Sequence, residues 1–306
     1  MQDETTNFLK TLFAPYPSAG RETIELRCLN AAGGQGNGPR RWFPLTAGGL
    51  RAAAWLGQAW SDRWNVYFGV LPRCGERAGG TDAVTMAAWL WCDIDNAPTW
   101  EAAAILLCKA ELPAPHLVVG SGNGCHVYWQ LADVEPLPDA ESKAQFRSLL
   151  RRLCAAVSGE PDGPHGDVAS TDVARILRLP GTCNWKNPAA PKPVSVLLRC
   201  DVAPRLTTDD WRDLLPAEPQ RGGREQGTGN RGQRIQSGTR YVTQHQLLRE
   251  VSPVGSRHRN CVRLLTALRN RNANAAEQEA AGRDFCALNA FPLDEMEAIL
   301  RWTIGR

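Results

Sequence analysis

No stretch of this 306-residue chain approaches the ~18 consecutive apolar residues of a membrane-spanning helix, so no membrane association is expected. The N-terminus, Met1-Gln2-Asp3-Glu4, lacks the charged-then-apolar layout of a secretory signal, and the cytoplasm is the expected location. A Cys-x2-Cys pair is missing too. Ten cysteines (Cys28, Cys74, Cys92, Cys108, Cys125, Cys154, Cys183, Cys200, Cys261 and Cys286) stand singly, so no structural zinc is expected and most should serve as small buried hydrophobes. Net charge is only +3, too small by itself to announce a nucleic-acid partner. No convincing Ser-His-Asp or Cys-His set for nucleophilic catalysis is present.

What the chain does have is carboxylates at the end of an apolar run. Ala87 to Trp91 leads into Cys92-Asp93-Ile94-Asp95. In an extended strand alternate side chains share one face, roughly 6.5–7 Å apart, so Asp93 and Asp95 point the same way. Magnesium retains several waters and needs only one or two carboxylates plus substrate phosphates, so this pair suits half of a phosphoryl-transfer site. A solvated turn at a strand end would read the same way.

Downstream, Leu117-Val118-Val119 reads as a short buried strand, Gly120-Ser121-Gly122-Asn123-Gly124 as a turn, and His126-Val127-Tyr128-Trp129 as a second strand. The glycines allow backbone amides to approach an anion closely, with Ser121 and His126 as flanking donors. A plain β-hairpin with a permissive turn fits equally. A third block, Asp167 to Lys186, gathers Asp167, Asp172, Arg175, Arg178, Asn184 and Lys186 around a Pro180-Gly181 turn. Arginine forks and a lysine point charge are polyphosphate partners, and they are equally the partners of structural ion pairs with these aspartates.

Taken in order, these blocks resemble the archaeo-eukaryotic primase superfamily, in its branch of plasmid, phage and mobile-element primase-polymerases with a RepB-like catalytic domain. That pattern is a strand ending in Asp-x-Asp, then Ser-Gly-x-Gly-x-His, then Asp-x4-Asp-x2-Arg-x2-Arg-x-Pro-Gly-Thr-x-Asn-x-Lys. The likeness spans Asn65 to Lys186, including Pro72-Arg73 before the first motif. It implies metal ligands at Asp93, Asp95 and Asp167, with Asp172 as the competing third ligand, holding two Mg2+ or Mn2+ ions. It implies nucleotide contacts at Ser121, Gly122, Gly124, His126, Arg178, Asn184 and Lys186. Asn184 stands where archaeal small subunits carry histidine. Arg73 is either a phosphate or template contact or a structural fork.

The fold implied is an α/β (α+β) primase core, with a twisted mixed sheet of RRM-like type packed on a second α/β unit and the site in the cleft between them. Residue patterns agree with an alternating domain: helices at Thr6–Leu12, Gly49–Trp60, Trp100–Ala110 and Ala140–Val157; strands at Val66–Leu71, Ala87–Ile94, Leu117–Val119, His126–Gln130 and Val194–Leu198. Most tryptophans, Trp55 and Trp60 among them, are expected in the core. From Pro216 to Arg240 the chain turns polar, glycine-rich and basic, the composition of a flexible linker. The expected division is 1–215 catalytic, 216–243 linker and 244–306 a small all-α domain, with helical stretches at Cys261–Arg269, Ala273–Asn289 and onward from Pro292. The resemblance gives that last domain a part in primer initiation, with Arg257, Arg259 and Asn260 as DNA contacts.

The leading expectation is a primase-polymerase that builds or extends primers from (d)NTPs on single-stranded DNA, with a replicative helicase as a further partner. A metal-dependent nuclease would need the acids without the polyphosphate pocket. A non-catalytic replication initiator would not need the acids filled.

Overall fold

Alternation of apolar side chains opens the first sheet. β1 (Glu22–Ala31) buries Ile24, Leu26 and Cys28 on one face and carries Glu25 and Arg27 on the other. The computed structural model describes residues 3–217 except 18–20, 32–35, 76–78 and 158–162, and beyond these 261, 264, 265, 268, 273–290 and 292–304. β1 pairs antiparallel with β2 (Asn37–Pro44), β3 (Trp64–Gly69) and the short β4 (Arg73–Cys74), and β3 pairs with β9 (Ile176–Arg178). Helix α2 (Ala47–Trp60), capped by the Thr46 hydroxyl on Gly49 N, covers the apolar face. Its buried residues Leu50, Ala53, Ala54 and Gly57 follow the i, i+3, i+4, i+7 stripe. Trp55 lies off that stripe and is 71% exposed, which corrects its expected place in the core.

The second sheet runs β10 (Thr182–Asn184), β11 (Lys192–Arg199), β6 (Leu117–Gly120), β7 (Cys125–Pro136), β5 (Met86–Asp95) and β8 (His165–Gly166). The expected mixed sheet is instead antiparallel at every neighbouring pair in both sheets. The reason is an insertion. Helix α3 (Trp100–Lys109) crosses from β5 to β6 and leaves those strands parallel, but β7 lies between them and opposes both.

Helix α1 (Glu4–Phe13) joins the two sheets. Its Phe8 ring meets Phe68 of β3 edge-on at 5.2 Å and Tyr128 of β7 at 6.1 Å. Trp89 of β5 donates its indole N–H to Leu12 O, 2.7 Å away, so helix and second sheet are also hydrogen-bonded. Behind β5, helix α4 (Ala140–Ala156) packs Phe146 against Trp91 at 6.3 Å. Full burial of each such aromatic or leucine contributes about 1.5–3 kcal/mol. A short helix α5 (Thr208–Leu214) buries Trp211 against Trp129.

Further on stand two helices, α6 (Ala275–Asn289), with an Asn274/Glu277 capping box, and α7 (Leu293–Ile304). The architecture is thus a mixed α/β core with two antiparallel sheets and a small C-terminal helical region. Nearly all of the expected linker, together with Arg257, Arg259 and Asn260, lies outside the described residues. No disulfide joins any of the ten cysteines, and most of them are buried. Among the described residues no helix is long and apolar enough to cross a membrane.

Arg73 is buried as a structural fork, the second of the two roles expected for it. Its side chain is 0% exposed, with Nε 3.4 Å from the equally buried carboxylate of Glu25. Its Nη1 and Nη2 donate to Leu71 O and Ala174 O, both at 2.8 Å. A guanidinium with no exposed surface cannot reach a phosphate. What it does is hold the 174–175 segment against β3, alongside the Val70 N–H bond to Arg175 O at 3.0 Å. Arg73→Ala leaves the Leu71 and Ala174 carbonyls without their donor and empties a fully buried side chain, while Glu25 keeps Arg27 and Arg40, so a loss of about 2–5 kcal/mol in urea denaturation is expected. Arg73→Lys should recover little of this, because one ammonium cannot span the three acceptors. Unchanged stability, with a shallower salt dependence of DNA binding, would restore the contact role.

Candidate active site: an acidic strand end facing an arginine strand

Strand β5 ends in alternation, Cys92 and Ile94 buried, Asp93 and Asp95 turned to the open side. Asp93 lies directly opposite His126 in the β5–β7 pairing, and Asp95 opposite His165 in β5–β8. The β6–β7 hairpin brings the glycine turn to the same end. Gly122 has φ +96°, a conformation glycine tolerates without strain. At Gly124 a Cβ would sit 2.3 Å from Ile94 O, so only glycine allows the turn to rest on β5.

The segment is a β-hairpin, and its turn borders a cavity. A cavity of about 210 Å³ is lined by Asp93, Asp95, Ser121, Gly124, His126, Arg178, Asn184 and Lys186, joined by Tyr67, Asn123 and Arg175–Leu177. It lies where the strand end of the second sheet meets β3 and β9 of the first. Gly122 is not in its wall but shapes the turn. A larger neighbouring cavity of about 580 Å³ shares Asn123, Asn184 and Lys186 and adds Lys192.

Asp167 approaches from another direction. Its N–H donates to Asp93 O at 2.7 Å, and it caps the turn Val168–Ser170 by accepting from Ala169 N at 2.8 Å. The buried Trp91 indole donates to Ser170 O at 2.9 Å, fixing that turn behind β5. The Ser170 hydroxyl donates to Asp167, lies 3.4 Å from Asp93 Oδ2, and accepts from Arg175. Asp93 and Asp167 thus share one serine. Asp172 instead pairs with Arg175 at 3.6 Å and is 41% exposed; neither Asp167 nor Asp172 lines the cavity itself.

Electrostatics follow from crowding. Burial pushes the Asp93 carboxyl up to about 6, and the neighbouring Asp167 adds to the shift while Arg175 opposes it. Asp95 is also raised, by burial first and then by Asp93 and Asp167. His126 moves the other way, down to about 3, because burial and then Arg178 and Arg175 disfavour its cation. Its Nε2 lies 3.7 Å from Asp93, and with a neutral imidazole this contact is not an ion pair. His126 Nδ1 is buried without a hydrogen-bond partner among the described residues.

The cationic wall is oriented from behind. Arg178 donates to Asn65 Oδ1 at 2.6 Å and lies over the Tyr67 ring, 5.0 Å from its centre. Asn65 Oδ1 also accepts from Trp185 N at 2.8 Å, which ties β10's exit to the same point. Asn184 donates to Ser121 O at 2.7 Å and accepts from Lys186 N at 2.9 Å, so its amide staples the turn in place. The Ser121 hydroxyl donates to Gly124 O at 3.0 Å, closing its own turn.

Sequence reasoning gives no site role to Ser170, Asn65 or Tyr67, and names Arg175 only as one of the two arginines of the third block. Arg175 had a signal, its three-residue spacing from Arg178; Ser170 and Asn65 had none, since their partners are 77 and 113 residues away.

Among the described residues no three His, Cys, Asp or Glu side chains are grouped as a ready-made metal cage. Carboxylates gathered at one strand end, with the ionisation of Asp93 and Asp95 opposed chiefly by burial, nevertheless fit a magnesium-type ion, which takes much of its shell from water and phosphate. No protein-family profile matches the chain, and no curated protein matches it. Two solved structures are similar. The AEP domain of the cyanophage S-2L primase-polymerase (PrimPol) shares 16% identity at a TM-score of 0.47, covering 69% of this chain and 97% of that one. Primase RepB′ shares 16% at 0.43, covering 98% and 93%.

An acid whose folded pKa lies above its unfolded value costs stability once the unfolded chain ionises first. For Asp93 that cost is absent below its ordinary value near 4, grows as pH rises, and is complete above about 6. Asp93→Asn should therefore stabilise the metal-free protein by about 1–3 kcal/mol at neutral pH, the gain vanishing toward about pH 4. Denaturation in chelator across that range checks it; a pH-independent difference between the two proteins would contradict the crowding.

Proposed function

We propose that this chain is a template-directed nucleotidyltransferase of primase-polymerase type, making or extending primers from (d)NTPs on single-stranded DNA. The observation that carries the reading is one cavity with two strand-end carboxylates, Asp93 and Asp95, on one wall and Arg175, Arg178 and Lys186 on the others. Asp167 belongs to the same acidic group through Ser170.

In the reaction a primer 3′ oxygen bonds to the α-phosphorus of the nucleotide, the bond to pyrophosphate breaks, and the hydroxyl proton passes to solvent. Asp93, Asp95 and Asp167 would hold Mg2+ or Mn2+, which when bound offsets charge on the entering and leaving oxygens. The arginines and lysine bind the triphosphate tail and neutralise it as it departs. His126, uncharged, offers a ring nitrogen without adding a titrating cation. Asn65 and Asn184 keep Arg178 and the glycine turn where the tail must lie. The division into a catalytic part (1–215), a basic linker (216–243) and a helical initiation domain (244–306) is part of this reading.

A nuclease would have less use for the cationic wall, and a non-catalytic initiator would have no use for like charges held together at a cost in stability. Labelled-nucleotide incorporation on primed and unprimed oligonucleotides separates them. Asp93→Ala/Asp95→Ala is expected to reduce incorporation ~10³-fold or more, and Arg178→Ala to raise KM for nucleotide roughly ten-fold. Incorporation by the acid variant at the wild-type rate, or cleavage products in place of extension, would sink the proposal.

A further inference from the structure

The first sheet has one face covered by α2 and another that runs straight out of the cavity. On that second face the strand registers place four side chains in a single cross-strand row: Arg40 opposite Arg27, Arg27 opposite Tyr67, and Tyr67 opposite Arg178. Directly paired residues of an antiparallel sheet share a face, so the row is continuous. It begins at two residues that line the acid cavity and extends about 14 Å, three strand spacings, to β2.

Its charge is not incidental. Glu25 lies beneath the row, 0% exposed, and accepts from Arg27 Nε at 2.8 Å and Arg40 Nε at 2.7 Å. One buried carboxylate therefore orients two guanidiniums that remain 29% and 34% exposed, and Arg178 adds a third cation. Arg40 also lies over the Trp42 ring, 4.6 Å from its centre, so the outer end of the row pairs a cation with an aromatic plane, as the inner end does with Tyr67. Fixed cations interleaved with rings, on a strip one row wide, match an unpaired polynucleotide: the phosphates meet guanidinium forks and the bases meet planar groups.

We propose that this row, Arg40, Arg27, Tyr67 and Arg178 with Trp42 beside it, is the track along which single-stranded DNA reaches the acid cavity. The inference rests on the polymerase reading only for the strand's destination.

The test is fluorescence anisotropy of the full chain with a labelled oligothymidylate, in chelator and without nucleotide, over a range of KCl concentrations. Arg27→Gln and Arg40→Gln should each bind about 5- to 10-fold more weakly and make the log–log salt dependence shallower by about 0.7 per lost phosphate contact. Trp42→Ala leaves Glu25 paired and should weaken binding with the slope unchanged; Arg27→Lys and Arg40→Lys should keep the slope.

Because each glutamine variant removes one of the three arginines around buried Glu25, hydrogen exchange of the wild-type chain serves as the second measurement: the oligonucleotide should slow exchange across 22–44. Wild-type affinity and slope in folded glutamine variants, no protection of 22–44, or equal protection by duplex DNA would each overturn the track. Intact binding by the variants alongside Asp93-dependent extension removes the track and leaves the polymerase. Protection of 22–44 in a chain that incorporates no nucleotide does the reverse.

Discussion

Two carboxylates held side by side against their own repulsion are the constraint on which the rest of the structure depends. Asp93 and Asp167 come from segments separated by an entire helix-containing crossover and a hairpin, yet the Asp167 N–H bonds to the Asp93 carbonyl. Left to electrostatics the side chains would part. They stay because the backbone bond, the Trp91 indole on Ser170 O and the packing of α4 behind β5 fix the turn independently of its charges. Burial first, and then the neighbouring Asp167 charge, raises the Asp93 pKa, while Arg175 and the shared Ser170 hydroxyl oppose the shift.

The opposite wall is built on the same logic with the signs reversed. Glu25 is buried among Arg27, Arg40 and Arg73, and Arg73 reaches through to the carbonyl of Ala174, one residue before Arg175. Asn65 does the equivalent for Arg178. The cations facing the cavity are thus braced by buried groups that never touch it. With α1 wedged between Phe68 and Tyr128, the two walls are held apart at a set width, and the cavity follows from that spacing.

Much of this was legible along the chain. The strand carrying Asp93 and Asp95, the glycine hairpin, α2, α3, α4 and the two late helices all announce themselves by local periodicity and punctuation, and they were found within a few residues. β1 carries a usable signal in its Ile24, Leu26, Cys28 alternation, whereas β2, rich in arginine and bounded by proline, carries none. Trp55 was assigned by residue type when its angular position on α2 was the better guide. The antiparallel character of the second sheet could not be read locally, because it depends on β7 settling between two strands joined by a helix.

By itself the sequence determined which chemical groups exist and which neighbours they share within a turn or a strand, since side-chain alternation and glycine tolerance act over a few residues. Only the tertiary structure decided that Asp167 and not Asp172 would share Ser170 with Asp93, that Arg175 would line the cavity, and that Arg73 would be buried as a brace. Those outcomes turn on contacts such as Trp91 to Ser170, Asn65 to Arg178 and Arg73 to Ala174, which span 79, 113 and 101 residues. Such pairings are selected by the burial and hydrogen bonding of the whole core, and no local pattern encodes them.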